Sequence, residues 1–218
     1  MKKSEVVIRE FASQGKKIVT KEELKELCGR YSFNFTKTKK LLLNKKFFIP
    51  ILRGIYYVKD YNEKKTGTTG LSTYALISRA MELKGIKKWY FGLYSALKFL
   101  GKTHEIFNVN YVINDRFNRI KIMTITGSRF IFIKLKPSLF FGFKKAKIAD
   151  KIYLRYSDLE KTMLDFIYLQ KKRGKGDSIA IETLKEYLDD LDWKKLSRYV
   201  KSYPNSIKKI IKSEFYAS

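Results

Sequence analysis

Apolar residues in the first quarter of the chain recur at helical spacing and then give way to short β-branched runs. Val7, Ile8 and Phe11 fall on one stripe, which predicts a helix over residues 4–14, ended by Gly15. Ile18-Val19 suits a short strand. Thr20-Lys21-Glu22-Glu23 then reads as a capping box, with Thr20 closing the helix start and Glu23 reaching back. Leu24, Leu27 and Cys28 follow at the spacing of a buried stripe, so Cys28 is read as a small core hydrophobe. After Gly29 a third helix is expected over residues 34–45. Phe35, Thr38 and Leu42 share its inner face, and Lys37, Lys40 and Asn44 the outer one. Residues 47–52 and 55–58 have strand composition around a two-residue turn, Arg53-Gly54, with Pro50 confined to an edge. Helix, strand, helix, turn, helix and hairpin is the order of parts in a winged helix-turn-helix.

Residues 60–70 are polar, with two Gly and three Thr, and read as an interdomain linker. Beyond it, helices are expected over residues 72–83 and 88–100, then strands over 108–113, 120–125, 130–135 and 148–154. Further helices are expected over 157–170, 181–188, 193–203 and 206–215. The expected fold class is therefore α+β. A winged helix-turn-helix over residues 1–60 and a linker over 61–70 precede a larger α+β domain over 71–218, with an antiparallel or mixed sheet and a helical C-terminal tail.

Charge changes the picture more than length does. Residues 27–59 hold eight cations (Arg30, Lys37, Lys39, Lys40, Lys45, Lys46, Arg53 and Lys59) and no Asp or Glu. The whole chain carries 47 Lys+Arg against 21 Asp+Glu, a formal net charge of +26. Such a surplus repels itself unless a polyanion neutralises it. A generally Lys-rich surface accounts for part of it, since 37 of the cations are Lys. Clustering on a helix and a wing points instead to duplex DNA. The expected contacts are Arg30, Asn34, Thr36, Lys37, Lys39, Lys40, Asn44, Lys45, Lys46 and Arg53. Asn34 and Thr36 would reach base edges or phosphates, the lysines would sit on phosphates, and Arg53 would enter a minor groove. A second acid-free stretch lies between residues 116 and 149, with Arg116, Arg119, Lys121, Arg129, Lys134, Lys136, Lys144, Lys145 and Lys147. It is expected to form one continuous basic face that extends the DNA footprint or holds a partner protein.

Candidate catalytic chemistry is sparse. The stretch 116–149 has no paired carboxylates for Mg²⁺, and Gly127-Ser128 is read as a turn rather than a nucleotidyltransferase motif. His104, the one histidine, can build neither a zinc site nor a Cys-His pair alone. There is no G-x-G-x-x-G and no P-loop. No catalytic residue, metal or cofactor is expected, and no enzymatic role. No apolar run reaches the roughly 20 residues of a membrane span. The N-terminus lacks a signal-peptide core, and the single Cys28 permits no internal disulfide, so a cytoplasmic location is expected.

Three short segments, taken in order, resemble the AbiEi-type antitoxins of type IV toxin–antitoxin systems. Arg53-Gly54-Ile55-Tyr56-Tyr57-Val58 is similar to the family's R-G-x-Y wing. Tyr94-Ser95-Ala96-Leu97, followed by Gly101, is similar to its S-A-L segment and later glycine. Glu160-Lys161-Thr162-Met163-Leu164-Asp165 is similar to its E-[KR]-T-x-x-D pattern. The chain departs from the family where a His usually precedes the glycine, since Phe99-Leu100 stands there. The resemblance implies a winged helix that binds inverted repeats in its own promoter and represses the operon. It also implies a second domain that counteracts a cognate nucleotidyltransferase-like toxin. Thr162 and Asp165 have a local reading as well, Thr162 bonding back within its helix and Asp165 pairing with a nearby cation. The alternatives are a plain winged-helix regulator whose second domain senses a ligand or dimerises, and a nucleic-acid-modifying enzyme with an unrecognised site.

Overall fold

The computed structural model describes residues 2–103, 107–149, 151–174, 178, 181–182 and 185–216. His104 and residues 183–184 of the helix expected over 181–188 lie outside them. The protein is an α+β molecule of two compact units. One comprises Met1–Lys87, Thr124–Ser128 and Lys147–Tyr153, the other Lys88–Met123, Arg129–Ala146 and Leu154–Ser218.

The first unit opens with the winged helix. Helices α1 (Lys3–Ser13), α2 (Lys21–Arg30) and α3 (Phe35–Asn44) pack with strands β1 (Ile18–Thr20), β2 (Phe48–Leu52) and β3 (Ile55–Val58). The strands form one antiparallel sheet in the order β1-β3-β2. Val7, Ile8, Phe11, Leu24, Leu27, Cys28 and Leu42 meet Phe48, Tyr56 and Val58 in its core. The capping box is formed: Glu23 N–H donates to Thr20 Oγ1 at 3.1 Å and Thr20 N–H to Glu23 at 2.7 Å. Pro50 lies on the edge strand, beside a register shift, where its missing N–H leaves no ladder bond unmade.

Residues 61–70 are not an open tether. Asp60 caps a short helix, α4 (Tyr61–Thr66), whose Glu63 is buried. The Glu63 carboxylate accepts from Tyr57 OH, from Gly70 N–H at 2.7 Å and from the Lys17 ammonium at 2.9 Å. These three groups, two side chains and one backbone N–H, lock the Thr-rich loop to the wing sheet. The first unit continues through α5 (Thr73–Leu83), capped by Ser72, so it extends past the expected boundary at residue 60. Composition reads polar residues as loop, whereas here they cap a helix and satisfy one another.

The second unit holds most of a six-stranded mixed sheet in the order β6-β7-β5-β4-β9-β8. Its strands are β4 (Trp89–Phe91), β5 (Val109–Asn114), β6 (Arg119–Ile125), β7 (Ser128–Lys134), β8 (Phe143–Ala149) and β9 (Ile152–Ser157). The pairs β4–β9 and β5–β7 are parallel, β4–β5 antiparallel. Helices α6 (Tyr94–Leu100), α7 (Leu159–Lys172), α8 (Trp193–Val200) and α9 (Asn205–Tyr216) supply the helical part. Leu97, Met163, Ile167, Leu196, Ile207 and Ile211 join Tyr90, Ile113 and Ile133 in one core.

Two expected elements are corrected. The helix over residues 88–100 is a strand followed by a short helix. Trp89-Tyr90-Phe91 is a fully buried aromatic run that suits a central strand, and Leu93 (φ 54°, ψ −136°) makes a sharp elbow into α6. The strand over 148–154 straddles two strands, because Lys151 takes a left-handed φ of 54° and turns the chain between β8 and β9. Periodicity alone does not separate a buried strand from a buried helix, nor one long strand from two short ones.

Candidate nucleic-acid interface

The turn between α2 and α3 is closed by Phe33 N–H donating to the Cys28 carbonyl at 2.8 Å, with Ser32 left-handed at φ 53°. Asn34 then caps α3, its Oδ1 accepting from Lys37 N–H at 2.9 Å. Thr38 and Leu42 are buried, and Thr36, Lys37, Lys40 and Asn44 are exposed on the outer face. Lys45 and Lys46 continue this exposed surface, and Arg30 is exposed at the end of α2. Arg53 is exposed at the wing tip, where Gly54 takes φ +78° so that Leu52 and Ile55 can pair.

Not every expected residue is equally available. Asn34 has spent its carbonyl oxygen on the cap, which leaves its NH₂ for a base or phosphate. Lys39 is only half exposed, its ammonium 5.5 Å from the Phe35 ring centre, with Lys25 at 5.6 Å from the same ring. Lys59, counted among the eight cations, is buried and donates to the Glu63 carbonyl at 3.2 Å, so it contributes nothing to the outer surface. Lys37, Lys40, Lys45, Lys46 and Arg53 have no ion-pair partner among the described carboxylates. Five free cations on a helix, the turn after it and a hairpin tip can neutralise phosphates without first breaking an internal pair.

The second acid-free stretch does not form one face. Its nine cations are exposed, but Arg119 and Lys121 lie on one edge strand of the sheet and Lys144 and Lys145 on the opposite edge. Five strand spacings separate those edges, roughly 24 Å. Lys144 and Lys145, being adjacent, also point to opposite sides of β8. Lysines on free edges blunt strand-to-strand aggregation, which accounts for the pattern without a ligand.

The E-K-T-x-x-D segment is structural in a way that its spacing did not reveal. Thr162 Oγ1 bonds back to the Asp158 carbonyl at 2.7 Å, and Asp165 pairs with Lys161, as the local reading expected. What sequence reasoning missed is that Lys161 is wholly buried. Its ammonium meets the Asp165 carboxylate and the Tyr203 hydroxyl at 2.6 Å, while Tyr90 OH and Tyr203 OH donate to Asp165 at 2.6 and 2.7 Å. Burial pulls the Lys161 pKa down against the attraction of Asp165, and burial beside Asp165 pushes both tyrosines well up. The available signal was that apolar residues (Leu159, Met163, Leu164, Phe166, Ile167 and Leu169) stand on most sides of the helix that carries Lys161. Asp158 and Glu160, at the start of α7, clasp Lys195 at 3.0 and 2.7 Å; burial works against its charge, but the two carboxylates outweigh it and push its pKa up to about 12. Ser95, in the S-A-L segment, is likewise buried and accepts from Tyr111 N–H at 2.8 Å.

No family model matches this chain, and no curated protein does. Among solved structures it is similar to the RV2827C protein from Mycobacterium tuberculosis. The TM-score is 0.58 at 13% sequence identity, covering 97% of this chain and 76% of that one. At that identity the likeness is one of fold. Fold and surface together define a winged-helix protein with a second α+β unit.

Proposed function

We propose that this protein binds duplex DNA through α3 and the β2–β3 wing, and that it is an autorepressor and antitoxin. The observation that carries the DNA-binding part is the set of exposed, unpaired cations Lys37, Lys40, Lys45, Lys46 and Arg53 on α3, the turn that follows it and the wing tip. The antitoxin part rests on the resemblance to the AbiEi-type family. Its partner would be a nucleotidyltransferase-like toxin, and the operator would be inverted repeats before the protein's own gene. The buried places of Ser95, Thr162 and Asp165 support reading the shared motifs as packing signals of a common fold rather than as chemistry.

Gel shifts with the gene's own upstream DNA and with random duplex, each at two salt concentrations, test the first part. Lys37→Ala and Lys40→Ala should each weaken both and lower the salt slope by roughly one. Thr36→Ala should cost about 1–3 kcal/mol on the operator with less effect on random DNA. Unchanged affinity in both lysine variants refutes the interface. Rescue of cells from the product of the neighbouring gene by co-expression tests the second part.

A further inference from the structure

A second basic surface lies on the C-terminal helices. Residues 193–213 contain seven Lys or Arg and no Asp or Glu. Helices α8 and α9 share this stretch and are joined by residues 201–204. Lys194, Arg198 and Lys201 recur at i, i+4 and i+7, so they form one stripe, and all three are exposed. Lys209 and Lys212 are exposed on α9. The opposite sides of both helices are apolar, with Leu196, Ile207, Ile210 and Ile211 buried.

The surface is sorted rather than merely Lys-rich. Lys195 turns inward and is neutralised by Asp158 and Glu160, while its neighbours Lys194 and Arg198 face solvent. The helix pair is also held in place by polar bonds of fixed geometry. Tyr199 OH donates to Asp158 at 3.0 Å and Asp192 N–H to Glu160 at 3.1 Å. Tyr203, in the turn between the helices, enters the Lys161–Asp165 network. A solvated surface without a polyanionic partner intersperses both signs of charge, because like charges in one field repel.

The kind of partner follows from what the surface lacks. A protein interface needs buried aromatic or aliphatic anchors. Among the described residues of α8 and α9 no large apolar side chain is exposed. The stripe offers instead ammonium and guanidinium groups, the Ser197, Ser202 and Ser206 hydroxyls and the Asn205 amide, all exposed. These are the groups that contact phosphate oxygens. We propose that the α8–α9 pair is a second nucleic-acid-binding surface, which takes the phosphate backbone of duplex DNA. It does not depend on the winged helix being the primary reader.

The test is fluorescence anisotropy of the full chain on a random-sequence duplex over a range of salt. The variant K194Q/R198Q/K201Q changes exposed side chains only. Its slope of log affinity against log salt should fall by roughly two to three, with affinity down at least tenfold at low salt. The same decrement should appear in a K37A/K40A background, which separates this surface from the winged helix. K144Q/K145Q, on β8, should leave the slope unchanged. An unaltered slope in the triple variant overturns the proposal, and so does an equal loss in K144Q/K145Q, which would indicate a general charge effect. Loss of protection against a toxin with unaltered DNA binding also overturns it, in favour of a protein partner.

Discussion

Replacing Asp165 by Leu should unfold the second unit more readily than any other single change in the buried network. Lys161 and Asp165 are both fully buried. In Asp165→Leu the ammonium keeps only the Tyr203 hydroxyl, and Tyr90 OH loses its acceptor. Removing one partner of a buried pair costs about 3–5 kcal/mol, because an uncompensated charge remains. For a chain of this size that corresponds to a fall of roughly 6–20 °C in Tm. Lys161→Met should cost less, since Asp165 still accepts from Tyr90 and Tyr203. The double variant should recover part of the loss, because hydrophobic replacement of a buried pair is often neutral. Urea titration followed by tryptophan fluorescence reads this directly: both tryptophans, Trp89 and Trp193, belong to the second unit. An Asp165→Leu variant within about 1 kcal/mol of the wild type would refute the reasoning, as would Lys161→Met proving the more damaging change.

Three further outcomes are expected. Arg53→Ala should weaken operator binding about tenfold in gel shifts, the loss of one DNA contact, with no change in melting temperature. For Glu63, burial raises the pKa but hydrogen bonds from Tyr57, the Asp60 amide, Lys17 and Gly70 outweigh it, so the folded value lies below the ordinary 4.5. The stabilisation is therefore complete above pH 4.5 and lost as pH falls through the folded pKa; hydrogen exchange over residues 57–70 should rise in that window, and Glu63→Gln should be looser at neutral pH by about 1–3 kcal/mol and flat across the window. Gly142→Ala should cost about 2–4 kcal/mol in urea titration, because φ is +65° and a Cβ would lie 2.7 Å from Tyr199 and 3.0 Å from Lys161; Gly101→Ala, with φ +66° and open space, should cost only about 1–2.

The winged helix was legible in the sequence because its determinants are local. Thr20 and Glu23 cap α2, Asn34 stands before α3, Arg53-Gly54 closes the wing, and each apolar stripe repeats at the period of its own element. The α+β class was legible for the same reason, and so were the exposed lysines of α3, which lie opposite Thr38 and Leu42. Tertiary structure alone decided the rest. Strand order put Lys121 and Lys144 at opposite sheet edges, although no acid separates them in sequence. The polar run after Asp60 became a capped helix because Glu63 found Tyr57, Gly70 and Lys17, partners up to 46 residues away. The fold buried Lys161 against Tyr90, 71 positions earlier, and Tyr203, 42 positions later. Periodicity specifies which side of an element turns inward; whether a charge on that element meets water or a counter-charge depends on chain segments that only folding brings together.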